Sequence, residues 1–315
     1  MAALPLSEQL EFGFINGFAT KAQARNLVEF GEANHFDSLW VGDHIAFPVP
    51  ITDSLSQLAC AAAYADTLTL GTCVYLLPLR HPTPVAKQVA TIDALADGRL
   101  IFGVGVGGEF PNEYAACGVP VNERGARMTE GIEVLKKLWS GEKVSNEGRF
   151  YPFEDVRMLP APRQAGGPPI WTGGRSAGAL ARCGRLADGW VSYVVTPEMY
   201  ANGLETIAAA AETANREIEQ FGTGHLLFTR IDNEYEAALD AATEHLSQRY
   251  AMDFRSAAKR YAALGTPADV AEKIQEFIGA GIRHFMLDMV GPNEDRMSQL
   301  EWFAKEVRPL LDSAI

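Results

Sequence analysis

The residue types best suited to chemistry lie at the ends of apolar, strand-like runs. The run SLWVGDHI, at positions 38–45, contains Asp43 and His44 near its end. A histidine exchanges protons near neutral pH, and a neighbouring carboxylate can orient its ring. The alternative is that His44 only caps the strand through its backbone or through a water. The position at a strand end favours a catalytic role for the pair.

Two glycine-rich turns follow other strand-like runs. The first, at 103–108, reads GVGVGG and matches the pattern GxGxxG. A dinucleotide-binding fingerprint would open directly into a helix, but Glu109, Phe110 and Pro111 follow here, so the context does not fit. Glycine has no side chain and therefore lets a planar ring approach the backbone closely. The alternative is that these glycines only ease packing at the rim of the fold.

The second glycine turn is suited to an anion. It places Gly173, Gly174, Arg175 and Ser176 between an apolar run and the helical pattern at 177–187. The N–H groups and the positive dipole end of a helix N-terminus bind phosphate, and an arginine adds a charge-assisted contact. An ordinary N-cap by Ser176 on a glycine turn is the alternative. We favour the phosphate site.

Short β-rich runs alternate with longer helical patterns along the whole chain. The predicted strands are 11–16, 38–45, 67–77, 100–107, 169–174, 189–194, 226–231 and 283–290. Most are nearly continuous apolar runs, which is typical of parallel strands covered by helices. Eight such units predict one (β/α)8 barrel domain over residues 1–315, because a doubly wound sheet would leave units unexplained. The stretches 141–168 and 232–264 are predicted insertions in this barrel.

The predicted fold gives the strand ends a common location. Active sites of (β/α)8 barrels lie on the loops after the C-terminal ends of the strands. We therefore expect Asp43, Val74, Gly107, Gly173 and Tyr193 to lie around one mouth of the barrel.

Composition limits the possible functions. The chain has 315 residues, of which 47% are hydrophobic, and its net charge is −13 without a basic cluster, so we expect no nucleic-acid partner. The cysteines are far apart and form no CxxC pair, which favours reduced thiols over disulfides or a metal site. The sequence has no signal-peptide pattern and no long apolar run. We expect a cytoplasmic protein that binds no membrane and no metal.

Longer stretches resemble the luciferase-like monooxygenase superfamily, nearest its coenzyme F-420-dependent branch. They are LWVGDHI, LGTCVYLLPLRHPTPVAKQVATIDALADGRLIFGVGVGGE, ERGARMTEGIEVLKKLWSGE, PPIWTGGRSAGALARCGRLADGW and GTPADVAEKIQEFIGAGIRHFMLD. The resemblance implies a (β/α)8 barrel that holds an isoalloxazine-like ring across its strand ends. It also implies hydride transfer between the deazaflavin and a small organic substrate.

The resemblance assigns roles to individual residues. The Asp–His pair at the end of strand two maps to Asp43 and His44, with His44 as proton donor or acceptor. A non-prolyl cis peptide behind the ring would fall at Cys73–Val74. The residues that it implies at the cofactor are Asp43, Cys73, Val74, Gly107, Gly108, Glu109, Asn112, Gly173 and Gly174. Their positions at strand ends add Arg175 and Tyr193 to the predicted cofactor contacts.

Three functional hypotheses remain at this point. The first is hydride transfer with bound coenzyme F-420. The second is an FMN-dependent monooxygenase that receives reduced flavin from a partner reductase and activates dioxygen. The third is a non-catalytic flavin-binding barrel, which the pair of Asp43 and His44 argues against because storage needs no titratable group at the ring. The oligomeric state common in the superfamily that the chain resembles and the apolar stretch LACAAAYA also favour a homodimer.

Overall fold

The computed structural model describes residues 4–108 and 110–312. In chain order the strands are β1 (Glu11–Ile15), β2 (Ser38–Val41), β3 (Thr69–Thr72), β4 (Tyr75–Leu76), β5 (Leu100–Gly105), β6 (Lys143–Asn146), β7 (Phe153–Arg157), β8 (Ile170–Gly173), β9 (Gly189–Tyr193), β10 (Gly222–Ile231), β11 (Ala263–Gly265) and β12 (His284–Met289). The α-helices are α1 (Lys21–Ala33), α2 (Ser54–Ala62), α3 (Pro82–Leu95), α4 (Pro111–Ala116), α5 (Arg124–Trp139), α6 (Ala177–Leu186), α7 (Pro197–Thr213), α8 (Tyr235–Tyr250), α9 (Arg255–Tyr261), α10 (Pro267–Gly279), α11 (Arg296–Trp302) and α12 (Arg308–Asp312). None of these helices is long and apolar enough to cross a membrane.

Eight parallel strands close into a barrel, which confirms the predicted fold. Their order is β1-β2-β3-β5-β8-β9-β10-β12, and β12 pairs with β1 to complete the circle. The predicted third strand is divided into β3 and β4. The Cys73–Val74 peptide bond between them is cis, at the position that the resemblance implied. Each predicted strand is present, although the second ends at Val41 and the seventh begins at Gly222.

Two tryptophan rings fill the interior of the barrel. Trp40 on β2 and Trp171 on β8 lie with ring centroids 5.8 Å apart, and the His284 ring packs edge-on against both at 5.4 Å. Glycines on nearby strands make room for them, since an ideal Cβ at Gly71, the partner of Trp40 on β3, would lie 2.4 Å from the Trp40 ring. An ideal Cβ at Gly222 would likewise lie 2.3 Å from Trp171. The interior beneath the C-terminal mouth is therefore a packed core.

Two polar stretches add elements outside the barrel. Within 141–168, β6 and β7 form an antiparallel hairpin. Within 232–264, α8 and α9 pack on each other over a separate apolar cluster that includes Phe228 of β10. This cluster also contains Val290, directly after β12. The second stretch therefore covers the ends of β10 and β12.

One histidine is buried in the barrel wall, away from the mouth. His225 on β10 is 1% exposed, and its Nδ1 lies 2.8 Å from the Ser192 hydroxyl. Its ring packs on Phe277 with centroids 4.6 Å apart. Burial lowers the pKa of His225 to about 3, although the contact with Ser192 acts in the opposite direction. The ring is therefore neutral in the folded protein near neutral pH.

We expect acid to destabilise the fold through His225. The unfolded imidazole has a pKa of ~6.5, so between that pH and about 3 only the unfolded chain takes up the proton. Stability rises with pH wherever the unfolded state binds more protons, so this contribution is lost as the pH falls below about 6.5. From pH 7 to 5.5 the free energy of unfolding should fall about 1 kcal/mol more in wild type than in His225→Gln.

Urea unfolding at several pH values measures this difference. His35→Asn is the matched control, because it removes one histidine from an exposed position. A His225→Gln protein with the full wild-type pH dependence would contradict the assignment.

Candidate active site

The C-terminal mouth of the barrel collects the strand ends singled out in the sequence. All eight barrel strands are parallel, so Asp43, Val74, Gly107, Gly173 and Tyr193 end or follow strands on the same side. An ideal Cβ at Gly173 would lie 3.4 Å from the Val74 Cγ1 atom, which brings the third and fifth barrel segments into contact. The expected grouping of these residues thus follows from the closed parallel sheet.

Val74 forms the floor of the mouth. An ideal Cβ at Gly105 would lie 2.4 Å from its Cγ2 atom, so the absence of side chains at Gly105 and Gly173 gives the valine its space. Cys73 lies directly before it and packs against the tryptophan cluster in the barrel. Burial, with a smaller effect from Asp288, raises the pKa of Cys73 to about 12. The thiol is therefore neutral and serves packing.

The turn after β5 has a backbone that favours glycine. Gly107 and Gly108 have φ angles of +55° and +110°, which residues with side chains rarely adopt. The Arg124 side chain lies against this turn, with its Nε 3.1 Å from an ideal Cβ at Gly108. Asn112 is the second residue of α4 and is exposed. Glu109, the remaining predicted residue of this turn, lies outside the described residues.

His44 pairs with a carboxylate that the sequence analysis missed. Its Nδ1 lies 3.0 Å from Oε2 of Glu113, which is 2% exposed on α4. The other oxygen of Glu113 accepts the backbone N–H groups of Ile45 at 2.7 Å and Ala46 at 3.0 Å. Burial acts to raise the pKa of Glu113, but hydrogen bonds from Ala46, His44 and Ile45 outweigh it and lower the pKa. The carboxylate is therefore ionised.

An ionised Glu113 determines which nitrogen of His44 holds the proton. A carboxylate only accepts hydrogen bonds, so Nδ1 of the imidazole must donate. In the neutral ring, Nε2 is then the unprotonated nitrogen and can accept a proton. Phe47 stacks on the imidazole with centroids 4.1 Å apart, and Phe110 contacts both rings edge-on. These contacts fix the orientation of the ring.

The expectation that Asp43 orients His44 is wrong. The Asp43 side chain is fully buried and accepts hydrogen bonds from Arg80 Nη1 at 2.5 Å and Nη2 at 2.8 Å. It also accepts the N–H of Leu76 and the hydroxyl of Ser54, both at 2.9 Å. The carboxylate beside His44 in sequence is therefore bound by Arg80, Leu76 and Ser54, while His44 pairs with Glu113.

The signal for Glu113 in the sequence was weak. It lies in EFPNEY, directly after the glycine turn, and is an acidic residue in the first turn of a short helix that opens at Pro111. Its place in the loop after a barrel strand was the only available indication. Nothing in the sequence shows that this loop folds back onto the one that follows β2.

The glycine turn after β8 has the form of an anion cradle. Gly174 has a φ of +105°, and an ideal Cβ there would lie 2.9 Å from the Ala179 Cβ. Trp190 Nε1 donates to the Gly174 carbonyl at 2.9 Å and thereby holds the turn. Ser176 caps α6 by accepting the Ala179 N–H at 3.3 Å. The first N–H groups of α6 have no partner within the helix and are suited to an anion.

Arg175 has a different environment from the one expected. It is exposed, and its Nη1 donates to the Val194 carbonyl at 2.7 Å, directly after Tyr193 at the end of β9. Tyr193 is 40% exposed. Arg175 therefore links the cradle to the neighbouring strand end, and its role toward a phosphate stays a prediction.

Comparison with known proteins identifies the family. The luciferase-like monooxygenase family matches residues 12–284. The chain belongs to this family. The predicted resemblance and the luciferase-like oxidoreductase class are confirmed.

Relatives in the luciferase-like family use both expected cofactors. An F420-dependent glucose-6-phosphate dehydrogenase from Kineococcus radiotolerans is 29% identical over 336 residues, covering 97% of this chain and 95% of the relative. An F420-dependent secondary alcohol dehydrogenase in complex with an F420-acetone adduct has a TM-score of 0.84 at 19% identity, covering 96% and 99%. The FMN-bound oxygenating constituent of 3,6-diketocamphane monooxygenase from Pseudomonas putida gives 0.77 at 18% identity, covering 96% and 98%. The two structures support the fold.

We expect Asp43→Asn to destabilise this luciferase-like barrel. Removing one charge of a buried ion pair leaves Arg80 uncompensated, which costs about 3 kcal/mol. Urea unfolding measures the loss. Asp155→Asn is the matched control, because its ion pair with Lys143 is exposed and should contribute less than about 1 kcal/mol. Equal stability of the two variants would show that the buried pair does not hold the mouth together.

Proposed function

We propose that the chain is an oxidoreductase that binds coenzyme F-420 across the barrel mouth and acts on a hydroxyl or carbonyl group of a small organic substrate. The observation that carries this proposal is the contact between Glu113 and His44 beside a floor and two turns made largely of glycine. Oxidising an alcohol to a carbonyl removes a hydride and a proton, so such a site needs a positioned proton acceptor. Sequence relatives that are F420-dependent glucose-6-phosphate dehydrogenases support the same cofactor.

The residues at the mouth fit a flavin-like group. Val74 would face the ring, and side chains at Gly107 and Gly108 would fill the space that its edge needs. The amides of Gly173 and Gly174 and the N-terminus of α6 would hold the phosphate. The other predicted cofactor contacts are Asp43, Cys73, Glu109, Asn112, Arg175 and Tyr193. When bound, the deazaflavin supplies a two-electron hydride acceptor or donor.

His44 performs the proton transfer in this proposal. Its Nε2 accepts the hydroxyl proton as the hydride leaves the substrate carbon, and the ring becomes an imidazolium. The negative charge of Glu113 stabilises that cation through Nδ1. In the reverse direction the imidazolium donates its Nε2 proton to the carbonyl oxygen as the hydride arrives. Asp43 has no contact with the imidazole and supports the surrounding backbone instead.

A second candidate is an FMN-dependent monooxygenase that receives reduced flavin from a partner reductase. The phosphate cradle at Gly173 and Gly174 fits FMN equally well, and an FMN-binding protein is among the structural relatives. The pair of His44 and Glu113 favours the dehydrogenase, because a proton acceptor held by an ionised carboxylate matches alcohol chemistry.

We include a homodimer and a cytoplasmic location in the proposal. The homodimer rests on the resemblance to the superfamily and on the apolar stretch around α2, and the location on the four free cysteines, which are typical of a reducing compartment. The chain would act as one barrel domain with additions at 141–168 and 232–264.

The first test is a binding titration of the purified protein with coenzyme F-420 and with FMN. We expect F-420 to bind more tightly, and we expect Gly174→Val to weaken that binding about tenfold or more. The valine would occupy the cradle next to Ala179 and would be strained at a positive φ. Gly166→Val is the matched control, because Gly166 also has a positive φ but has open space around it in a different part of the chain.

Tight binding of F-420 by Gly174→Val would place the phosphate elsewhere. Tighter binding of FMN than of F-420 by wild type would favour the monooxygenase instead.

The second test concerns His44 and Glu113. We expect His44→Ala to lower turnover about 10² to 10⁴-fold while F-420 binding stays within a few fold. Glu113→Gln keeps the shape but turns an N–H donor toward Nδ1, so the proton should move to Nε2 and turnover should fall about 10²-fold. ¹⁵N NMR of the imidazole reports which nitrogen is protonated.

The losses of turnover caused by the two substitutions should not be additive. In the His44→Ala background, Glu113→Gln should lower turnover no further, because the carboxylate acts only through the imidazole. A full additional loss would show that Glu113 has a separate role in catalysis.

A further inference from the structure

Two arginines lie at the N-terminus of α5, close to the glycine turn after β5. Arg124 begins the helix, and its Nε lies 3.1 Å from an ideal Cβ at Gly108. Arg182 reaches the same helix end from α6, with Nη2 3.1 Å from an ideal Cβ at Gly125. Its Nε donates to the Thr129 hydroxyl at 3.1 Å. The two guanidinium groups therefore lie along the first turns of α5.

These cations have no acidic partner within the ranges 4–108 and 110–312. Arg124 donates to the Val121 carbonyl, and Arg182 to a hydroxyl. The neighbouring carboxylate, Glu123, is already paired with Arg127 at 2.8 Å and Arg149 at 3.1 Å. Most other partly buried arginines at the mouth differ, since Arg80, Arg230 and Arg249 each pair with an aspartate.

An unpaired cation at this position is costly. Arg182 is partly buried, and burial, followed by the charge of Arg185 one turn away, lowers its pKa. Two arginines three residues apart on one helix also repel each other. The chain carries a net charge of −13, so carboxylates that could have compensated them are abundant in its composition. An anionic ligand would supply the missing partner.

The N-terminus of α5 adds to the attraction for anions. The residue at its N-cap, Glu123, accepts no hydrogen bond from the backbone N–H groups of the helix, because its carboxylate is directed to Arg127 and Arg149. The helix has sixteen residues, so its positive dipole end is fully developed. Its first turn therefore faces the two guanidinium groups without a capping side chain. Three independent features, two arginines and one helix end, thus favour negative charge at one location.

We propose that Arg124 and Arg182 form a second anion site, which binds carboxylates of the cofactor side chain beyond its phosphate. This inference rests on the proposed function. Ser176 at the start of α6 and Arg182 are six residues apart, or about 9 Å along the helix axis, and the arginine leans back toward the start of the helix. The distance suits an acidic chain that continues from a phosphate in the glycine cradle.

The second anion site would select between the two candidate cofactors. FMN ends at its phosphate, whereas the side chain of coenzyme F-420 continues into groups that carry carboxylates. The floor at Val74 and the cradle at Gly173 and Gly174 contact parts that both cofactors share. Arg124 and Arg182 would contact a part that only the deazaflavin has. The choice of cofactor would therefore be made outside the ring-binding part of the mouth.

Binding of two deazaflavin probes tests the site. One probe is coenzyme F-420 with its complete side chain, and the other is the same deazaflavin ending at the phosphate. Fluorescence titration gives the dissociation constants of wild type, Arg182→Gln and Arg124→Gln. We expect each substitution to weaken binding of the complete coenzyme about fivefold to tenfold, and binding of the shortened probe less than twofold. Rising salt should reduce the advantage of the complete coenzyme in wild type.

Arg185→Gln is the matched control, because it removes an equal charge from an exposed position on the same helix. It should change neither dissociation constant by more than about twofold. The shortened probe also reports whether each variant is folded.

Equal losses on both probes would place the arginines at the phosphate and overturn the proposal, as would no loss on either. If wild type binds both probes equally tightly, the deazaflavin cofactor stands and the second anion site is wrong. If wild type binds neither probe, the proposed cofactor itself is wrong, and the proposal of a second anion site is wrong as well.

Discussion

The buried carboxylate of Glu113 is the interaction on which the mouth of the barrel depends. It accepts two backbone N–H groups from the loop after β2 and contacts the imidazole of His44. One side chain thus joins α4 to that loop and also determines which nitrogen of the histidine ring carries the proton. Because hydrogen bonds to the charged form outweigh the cost of burial, the carboxylate stays ionised where it is needed. The ionised carboxylate of Glu113 therefore determines both where the His44 ring lies and which of its nitrogens is unprotonated.

Asp43 and His44 are neighbours in sequence but make separate contacts in the loop after β2. The Asp43 carboxylate turns inward, where it holds Arg80, the backbone of Leu76 and the start of α2. This arrangement fixes the segment that leads on from Val74. His44 turns toward the loops and meets Glu113. The buried ion pair thus supports the floor, and the imidazole of His44 stays available for the proposed proton transfer.

The fold was predictable from the sequence because its signals are local. Continuous apolar runs mark strands covered by helices, and parallel strands place all their ends at one mouth. The glycine turn at Gly173 was recognisable for the same reason, since strand, turn and helix are consecutive. The partner of His44 was not predictable, because Glu113 is 69 residues away in sequence and the contact depends on how two loops fold. Adjacency in sequence favoured Asp43, but the carboxylate of Asp43 is paired with Arg80 instead.

Cofactor choice is harder to read from the sequence than the fold, for a related reason. The parts of the mouth proposed to contact a ring and a phosphate are largely backbone and glycine, which any flavin-like group could use. Discrimination therefore requires side chains that reach a feature found in one ligand and not in the other. In a chain with a net charge of −13, arginines that have no acidic partner among the described residues are unusual. Arg124 and Arg182 become visible as a pair only in three dimensions, because they lie on different helices. Specificity in this family would then be set where helices meet at the edge of a shared ring site.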